Sequence, residues 1–160
     1  MSKDDPLFQS QIRITQIDGK LPNLALMKLS HYHKAKGDKV HFYTTTTKDM
    51  FEPDYDIVYG SSIFTFSNKK RDEFLNSFVG GTGFGCQTTV EGLIKEQDYE
   101  NYDYGIYPDF EHSIGFSQRG CRLRCKFCVV GEKEGKNKHS NWIDEIWRGD
   151  AYSKNILLLD

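Results

Sequence analysis

The first regular segment of the chain reads Gln11-Ile-Arg-Ile-Thr-Gln-Ile-Asp18. Ile12 and Ile14 alternate with polar residues, and a period of two residues is typical of a β-strand. The following segment, 21–37, carries apolar residues at helical spacing and ends at a glycine, Gly37. The sequence therefore predicts a strand that leads directly into a helix.

Two more strands are predicted after this helix, over 39–43 and 56–63. The second contains Ile57-Val58-Tyr59, a continuous apolar run of the kind found in strands that are buried on both faces of a parallel sheet. The order strand, helix, strand, strand predicts an N-terminal open parallel α/β domain of the Rossmann or flavodoxin-like class. We assign this domain to residues 10–97.

The second half of the sequence changes character. Residues 98–111 are acidic and rich in tyrosine, and we interpret them as a linker. A strand is predicted over 112–117, a helix over 141–148 and a buried apolar strand over 155–160. This order predicts one β/α unit of a second parallel sheet, so we assign a second domain to residues 112–160.

Composition argues against several classes of function. The chain has 160 residues and a formal net charge of −2, so no overall positive charge favours binding to nucleic acid. No apolar run approaches the roughly twenty residues needed to cross a bilayer, and the polar N-terminus does not resemble a secretory signal. We therefore expect a soluble, cytoplasmic protein with no membrane partner.

Three of the four cysteines lie in one basic stretch, Cys121-Arg-Leu-Arg-Cys125-Lys-Phe-Cys128. Clustered cysteines in a protein without an export signal indicate metal binding rather than disulfides. Three thiolates leave one position of a cubane iron–sulfur cluster open, which favours chemistry over a purely structural role. The alternative is a zinc site that takes Cys86 or His139 as a fourth ligand, although zinc sites usually combine two separated pairs of ligands.

The stretch from Gly115 to Gly135 resembles the entry loop of radical S-adenosylmethionine (radical SAM) enzymes. These enzymes share the spacing Cys-x3-Cys-x2-Cys with an aromatic residue before the last cysteine, and Phe127 occupies that place. The pair Arg119-Gly120 is also common in the family. The N-terminal half resembles the cobalamin-binding-like α/β domain that precedes the barrel in many members.

The resemblance implies a specific chemistry. Cys121, Cys125 and Cys128 would each bind one iron of a 4Fe–4S cluster, and S-adenosylmethionine would chelate the fourth iron with Phe127 near its adenine. An electron from a flavodoxin- or ferredoxin-type donor would then cleave S-adenosylmethionine into methionine and a 5′-deoxyadenosyl radical, which abstracts hydrogen from a substrate. The resemblance also implies that residues 112–160 begin a partial TIM-type barrel.

The sequence departs from the family in two respects. The motif Asp-x-His-x-x-Gly of cobalamin-using members is missing, so we do not expect cobalamin; His31 and His33 lie in the predicted helix, where we expect a solvated edge. The chain also ends early in the barrel, so we expect no turnover by the isolated chain. Catalytic residues and substrate are not predicted. The alternatives are a non-catalytic zinc or iron–sulfur module and a tRNA-modifying relative, which the charge disfavours.

Overall fold

The computed structural model describes residues 9–67, 77–85, 88–96, 99–123, 125–128 and 130–160. The chain divides into two compact units, Met1–Tyr107 and Pro108–Asp160. None of the helices in the described ranges is long and apolar enough to cross a membrane.

The first unit is a parallel α/β domain. Within the described residues it has four strands, which form one sheet in the order β2-β1-β3-β4, and every pair of neighbouring strands is parallel. This confirms the parallel α/β architecture that the sequence predicts. The elements are β1 (Gln11–Gln16), α1 (Leu24–Ala35), β2 (Lys39–Tyr43), β3 (Ile57–Ser61), β4 (Phe78–Gly80) and α2 (Val90–Ile94).

Strand β1 is one of the two central strands of this sheet. Ile12 pairs with Val40 of β2 on one side and with Ile57 of β3 on the other. Ile12 and Ile14 lie on one face and are completely buried, as is Met27 of α1, which packs on this strand. Because β1 is paired on both edges and α1 packs against it, its apolar positions form the core of the first unit.

The polar positions of β1 are buried as well. Arg13 points to the other face of the sheet, where its Nε lies 3.1 Å from a carboxylate oxygen of Glu52, and both side chains are almost fully buried. Its guanidinium also donates hydrogen bonds to three successive backbone carbonyls in the segment after β2, those of Thr45, Thr46 and Thr47. Arg13 thus fixes this segment against the sheet. The alternation of apolar and polar residues in the sequence does not reveal that a polar position is buried in this way.

Helix α1 begins at a capped end and contributes a buried histidine. The side chain of Asn23 accepts a hydrogen bond from the Leu26 backbone N–H, which is the preferred arrangement at a helix start. The prediction of a solvated edge is wrong for His33, which is buried. Its Nδ1 lies 2.7 Å from Asp38 Oδ2, and its Nε2 lies 3.0 Å from the Tyr59 hydroxyl. These bonds allow the imidazole to be buried.

Residues 99–107 pack against α1. Asp103 accepts a 2.6 Å hydrogen bond from the Ser30 hydroxyl and forms an ion pair of 2.6 Å with Lys34. The buried ammonium of Lys28 lies 2.8 Å from a carboxylate oxygen of Glu100. Charged contacts therefore hold these residues to the helix, and they belong to the first unit.

The second unit contains a parallel pair of strands and a small hairpin. Strand β5 pairs with β8 in parallel, as predicted, and β6 pairs with β7 in antiparallel orientation. Residue 114 opposes residue 157 in the parallel pair. The elements are β5 (Ser113–Gly115), β6 (Gln118–Arg119), α3 (Val130–Lys133), β7 (Lys138–His139), α4 (Ile143–Ile146) and β8 (Ile156–Leu158).

Helix α4 and strand β8 are shorter and more exposed than the sequence predicts. Trp142 is 68% exposed and Ile143 47% exposed, so only Ile146 of the predicted apolar face is buried. A helix that buries a single side chain gains little from packing, and the backbone is already extended at Trp147. Leu158 of β8 is 41% exposed, since within the described residues β8 pairs with β5 alone.

Candidate metal centre

The three predicted ligands lie on one segment at the carboxyl end of β5. We call residues 121–128 the cysteine loop. Cys121 and Cys128 are half-buried, Cys125 is exposed, and all three are free thiols. The Cys128 backbone N–H donates to the Cys125 carbonyl at 3.0 Å, which closes a turn between the second and third cysteines. The Leu123 N–H donates to Cys121 Sγ at 3.4 Å and orients that sulfur.

The cysteine loop projects from a paired base. We call residues 117–120 and 134–140, which include β6 and β7, the neck. Gln118 opposes His139 and Arg119 opposes Lys138 in its ladder. The Ser140 N–H donates to the Ser117 carbonyl at 2.9 Å, which extends the pairing beyond the ladder. The two ends of the segment that carries the cysteines are therefore held side by side.

Gly120 brings the two sides of the neck into close contact. Its φ is +82°, and a Cβ at this position would lie 2.4 Å from the carbonyl oxygen of Lys136. The next residue, Cys121, donates its N–H to the Gly135 carbonyl at 3.2 Å. Only glycine satisfies both the left-handed backbone and the close approach, so Gly120 directly sets the position of the first cysteine.

Glu134 closes the neck from the other side. Its carboxylate accepts a hydrogen bond of 3.0 Å from Arg119 Nη2 and one of 2.8 Å from the Gly120 N–H. The Arg119 guanidinium also lies over the Phe116 ring, 4.5 Å from the centroid. Arg119 thus holds the two sides of the neck together, although 40% of its side chain is exposed.

Asp160 joins the neck to the second strand of the unit. One of its carboxylate oxygens accepts the N–H groups of Ser117, at 2.8 Å, and Gln118, at 3.0 Å. The other accepts the Ser117 hydroxyl. Burial raises the pKa of Asp160, but these three donors outweigh it and hold the pKa below its ordinary value. Ser117 and Asp160 each follow the end of a strand. Because β5 and β8 run parallel, the two residues lie at the same edge of the pair.

The surface of the cysteine loop is basic and apolar. Phe127 is 92% exposed and Leu123 60% exposed. Arg122 and Lys126 are exposed between them. The predicted adenine-binding residue therefore lies on the surface of the unit, where a ligand can reach it.

The donor set suits a metal in residue type and in its place in the fold, but the side chains of the described residues are not gathered into a metal site. Three free thiols share one loop at the carboxyl end of a parallel strand, where ligand sites of α/β folds are built. In the described ranges, no three or more His, Cys, Asp or Glu side chains are grouped as a metal site. His139, one alternative fourth ligand for zinc, is exposed in β7, and its ring lies 4.4 Å from that of Trp142. The other alternative, Cys86, lies outside the described residues.

Sequence reasoning missed the two carboxylates that bind the backbone of the neck, Glu134 and Asp160. The signal for Asp160 was its position directly after an apolar strand, because residues that follow neighbouring parallel strands meet at one edge of the sheet. Glu134 carries no comparable signal, since in a charged stretch it looks like any solvated residue.

Comparison with family models, with curated proteins and with solved structures found no match for this chain.

Proposed function

We propose that the chain is an iron–sulfur protein of the radical SAM type. The observation that supports this most strongly is the placement of Cys121, Cys125 and Cys128 on one loop at the carboxyl end of a parallel strand. Three cysteines would each bind one iron of a 4Fe–4S cluster and leave the fourth iron for S-adenosylmethionine. When bound, the cluster supplies the electron that cleaves S-adenosylmethionine reductively to the 5′-deoxyadenosyl radical.

The protein's own residues would bind and orient these groups. The Leu123 N–H, which already donates to Cys121 Sγ, holds one ligand in place. The exposed side chains of Arg122 and Lys126 balance the negative charge of a thiolate-bound cluster. The exposed ring of Phe127 provides a flat apolar surface for the adenine.

The proposal extends to the fold and the partners. Strands β5 and β8 with the segment between them would form the first β/α unit of a TIM-type barrel. The electron donor would be a flavodoxin- or ferredoxin-type protein in the cytoplasm. Cobalamin is not part of the proposal.

Anaerobic reconstitution with iron and sulfide tests the function. We expect a brown protein that absorbs near roughly 400 nm and holds about four irons per chain, as thiolate-bound cubane clusters do. Cys125→Ala should lose the cluster, because two cysteines cannot hold it. Cys86→Ala removes the one cysteine outside the loop and should retain it.

A non-catalytic zinc module, which is the alternative, predicts different metal contents for the same variants. Colourless protein with one zinc per chain, which is lost in Cys86→Ala or His139→Ala, would establish a closed four-ligand site. Full iron content in Cys125→Ala would contradict the ligand assignment.

A further inference from the structure

We infer that Asp160 is a positioning residue for the cysteine loop. This inference depends on the proposed function, because it concerns how the chain presents its thiols to iron. Asp160 touches none of the three cysteines in the hydrogen bonds described above. It acts through Ser117 and Gln118, the residues from which the neck begins.

The contact has the form of a two-sided clamp. One carboxylate oxygen binds two successive backbone N–H groups, and the other binds the hydroxyl of the first of these residues, Ser117. Three donors on one carboxylate fix both its orientation and that of the backbone that it binds. The two N–H groups belong to successive peptide units, so rotation of either unit would break one of these bonds.

The position of the clamp gives it influence over the ligands. Ser117 and Gln118 lie between strand β5 and Gly120, and Gly120 precedes the first cysteine. The Leu159 N–H, beside Asp160, donates to the Gly115 carbonyl at 3.0 Å, so the end of β8 is bound to β5 immediately before the clamp. The clamp therefore transfers the orientation of the parallel pair to the neck, and the neck transfers it to Cys121.

Groups of this type control metal sites without touching the metal. Groups that hydrogen-bond a metal ligand directly change metal affinity by about 10- to 100-fold when they are removed, and Asp160 acts one step further from the ligands. We therefore assign to Asp160 an effect on iron retention at the lower end of that range.

Two variants remove the clamp from opposite sides. Asp160→Asn removes the charge and one acceptor, and Ser117→Ala removes the hydroxyl donor. Ser117→Thr keeps the hydroxyl and should retain the contact with Asp160. Asp150→Asn is the matched control, because Asp150 is an exposed carboxylate of the second unit, ten residues before Asp160. Should Asp160→Asn fail to fold, Ser117→Ala tests the same contact.

The first measurement needs no iron. Hydrogen exchange of the Ser117 and Gln118 amides should accelerate by about tenfold or more in Asp160→Asn, because both amides donate to this carboxylate. Exchange should stay at the wild-type rate in Asp150→Asn. Unchanged exchange in Asp160→Asn would overturn the clamp itself.

The second measurement uses protein reconstituted with iron and sulfide. Release of iron to a chelator should be about tenfold faster in Asp160→Asn and Ser117→Ala than in wild type, with wild-type release in Ser117→Thr. The electron paramagnetic resonance spectrum of the reduced cluster should also change. Faster amide exchange with unchanged iron release and spectrum would overturn the positioning role and leave the proposed function intact. Wild-type protein that takes up no iron would overturn both.

Discussion

Gly120 is the residue in the second unit whose identity the backbone restricts most clearly. Its φ of +82° lies in the left-handed region, and the space for a Cβ is occupied by the Lys136 carbonyl. Either condition alone disfavours other residues, and together they leave no room for a side chain unless the neck opens. The first cysteine follows directly, so a shift at this position moves a proposed ligand.

Gly120→Ala should therefore impair iron binding. Backbone strain of about 1–3 kcal/mol adds to the steric conflict with Lys136, and we expect iron content after reconstitution to fall severalfold. Iron analysis on matched protein concentrations provides the measurement.

Gly131→Ala is the control for this change. Gly131 lies in α3, and a Cβ there would meet no atom within 4 Å. Alanine should stabilise this turn by about 0.5–1 kcal/mol and leave iron content unchanged. Equal iron content in Gly120→Ala and Gly131→Ala would show that the neck tolerates displacement.

Among the elements, β1 makes the largest contribution to the first unit. It has neighbours on both edges, as β3 does, and all of its residues from Ile12 to Gln16 are buried, so both of its faces are covered. Its apolar face packs in the core, and its polar face binds the segment after β2 through Arg13. A cavity in this strand would weaken contacts in both directions.

Ile14→Ala should lower the free energy of unfolding by about 2–5 kcal/mol, because it removes buried methyl groups and leaves a cavity. Urea unfolding followed by circular dichroism provides the measurement. Phe51→Ala is the control, since Phe51 is 92% exposed, and it should change stability by less than about 0.5 kcal/mol. Similar losses in both variants would contradict the assignment of the core.

The elements also show how far the sequence could predict the fold. Strands β1, β2 and β3 and helix α1 could be predicted, because period and glycine placement are local signals. The exposure of Trp142 and Ile143 could not, because burial depends on what packs against a helix. The cysteine loop could also be located, because its spacing is a local signal. The bond between Ser117 and Asp160 could not, because it depends on the pairing of two strands that are distant in the sequence.

The molecule as a whole depends on carboxylates that are ionised in the folded state. Asp18 and Asp103 are partly buried and Asp160 is exposed. At each of them desolvation raises the pKa of the carboxyl, but hydrogen bonds outweigh this and lower the pKa. At Asp103 the donors are Lys34, Ser30 and the Gly105 N–H. A folded pKa below the unfolded value stabilises the fold above the unfolded pKa, and this stabilisation is lost as the pH falls through the folded pKa.

Stability should therefore fall on acidification, and Asp103→Asn should reduce this dependence. At pH 7 the variant should lose about 1.5–3 kcal/mol, the value of hydrogen bonds to a charged group. The difference from wild type should shrink as the pH falls below 3.8, the ordinary pKa of this group. Urea titrations at neutral and acidic pH provide the measurement, with the exposed Asp109→Asn as control. A constant difference at all pH values would contradict the assignment.

The paired neck has a consequence for the proposed binding of a metal. Gathering three ligands from a free peptide costs conformational entropy that grows with the length of chain to be closed. Here the Cys121 N–H already contacts the Gly135 carbonyl, so folding has closed the ends before any ion arrives. Closure of this loop leaves the three cysteines fewer conformations, so we expect a synthetic peptide of the same cysteine spacing to bind iron more weakly than the folded protein.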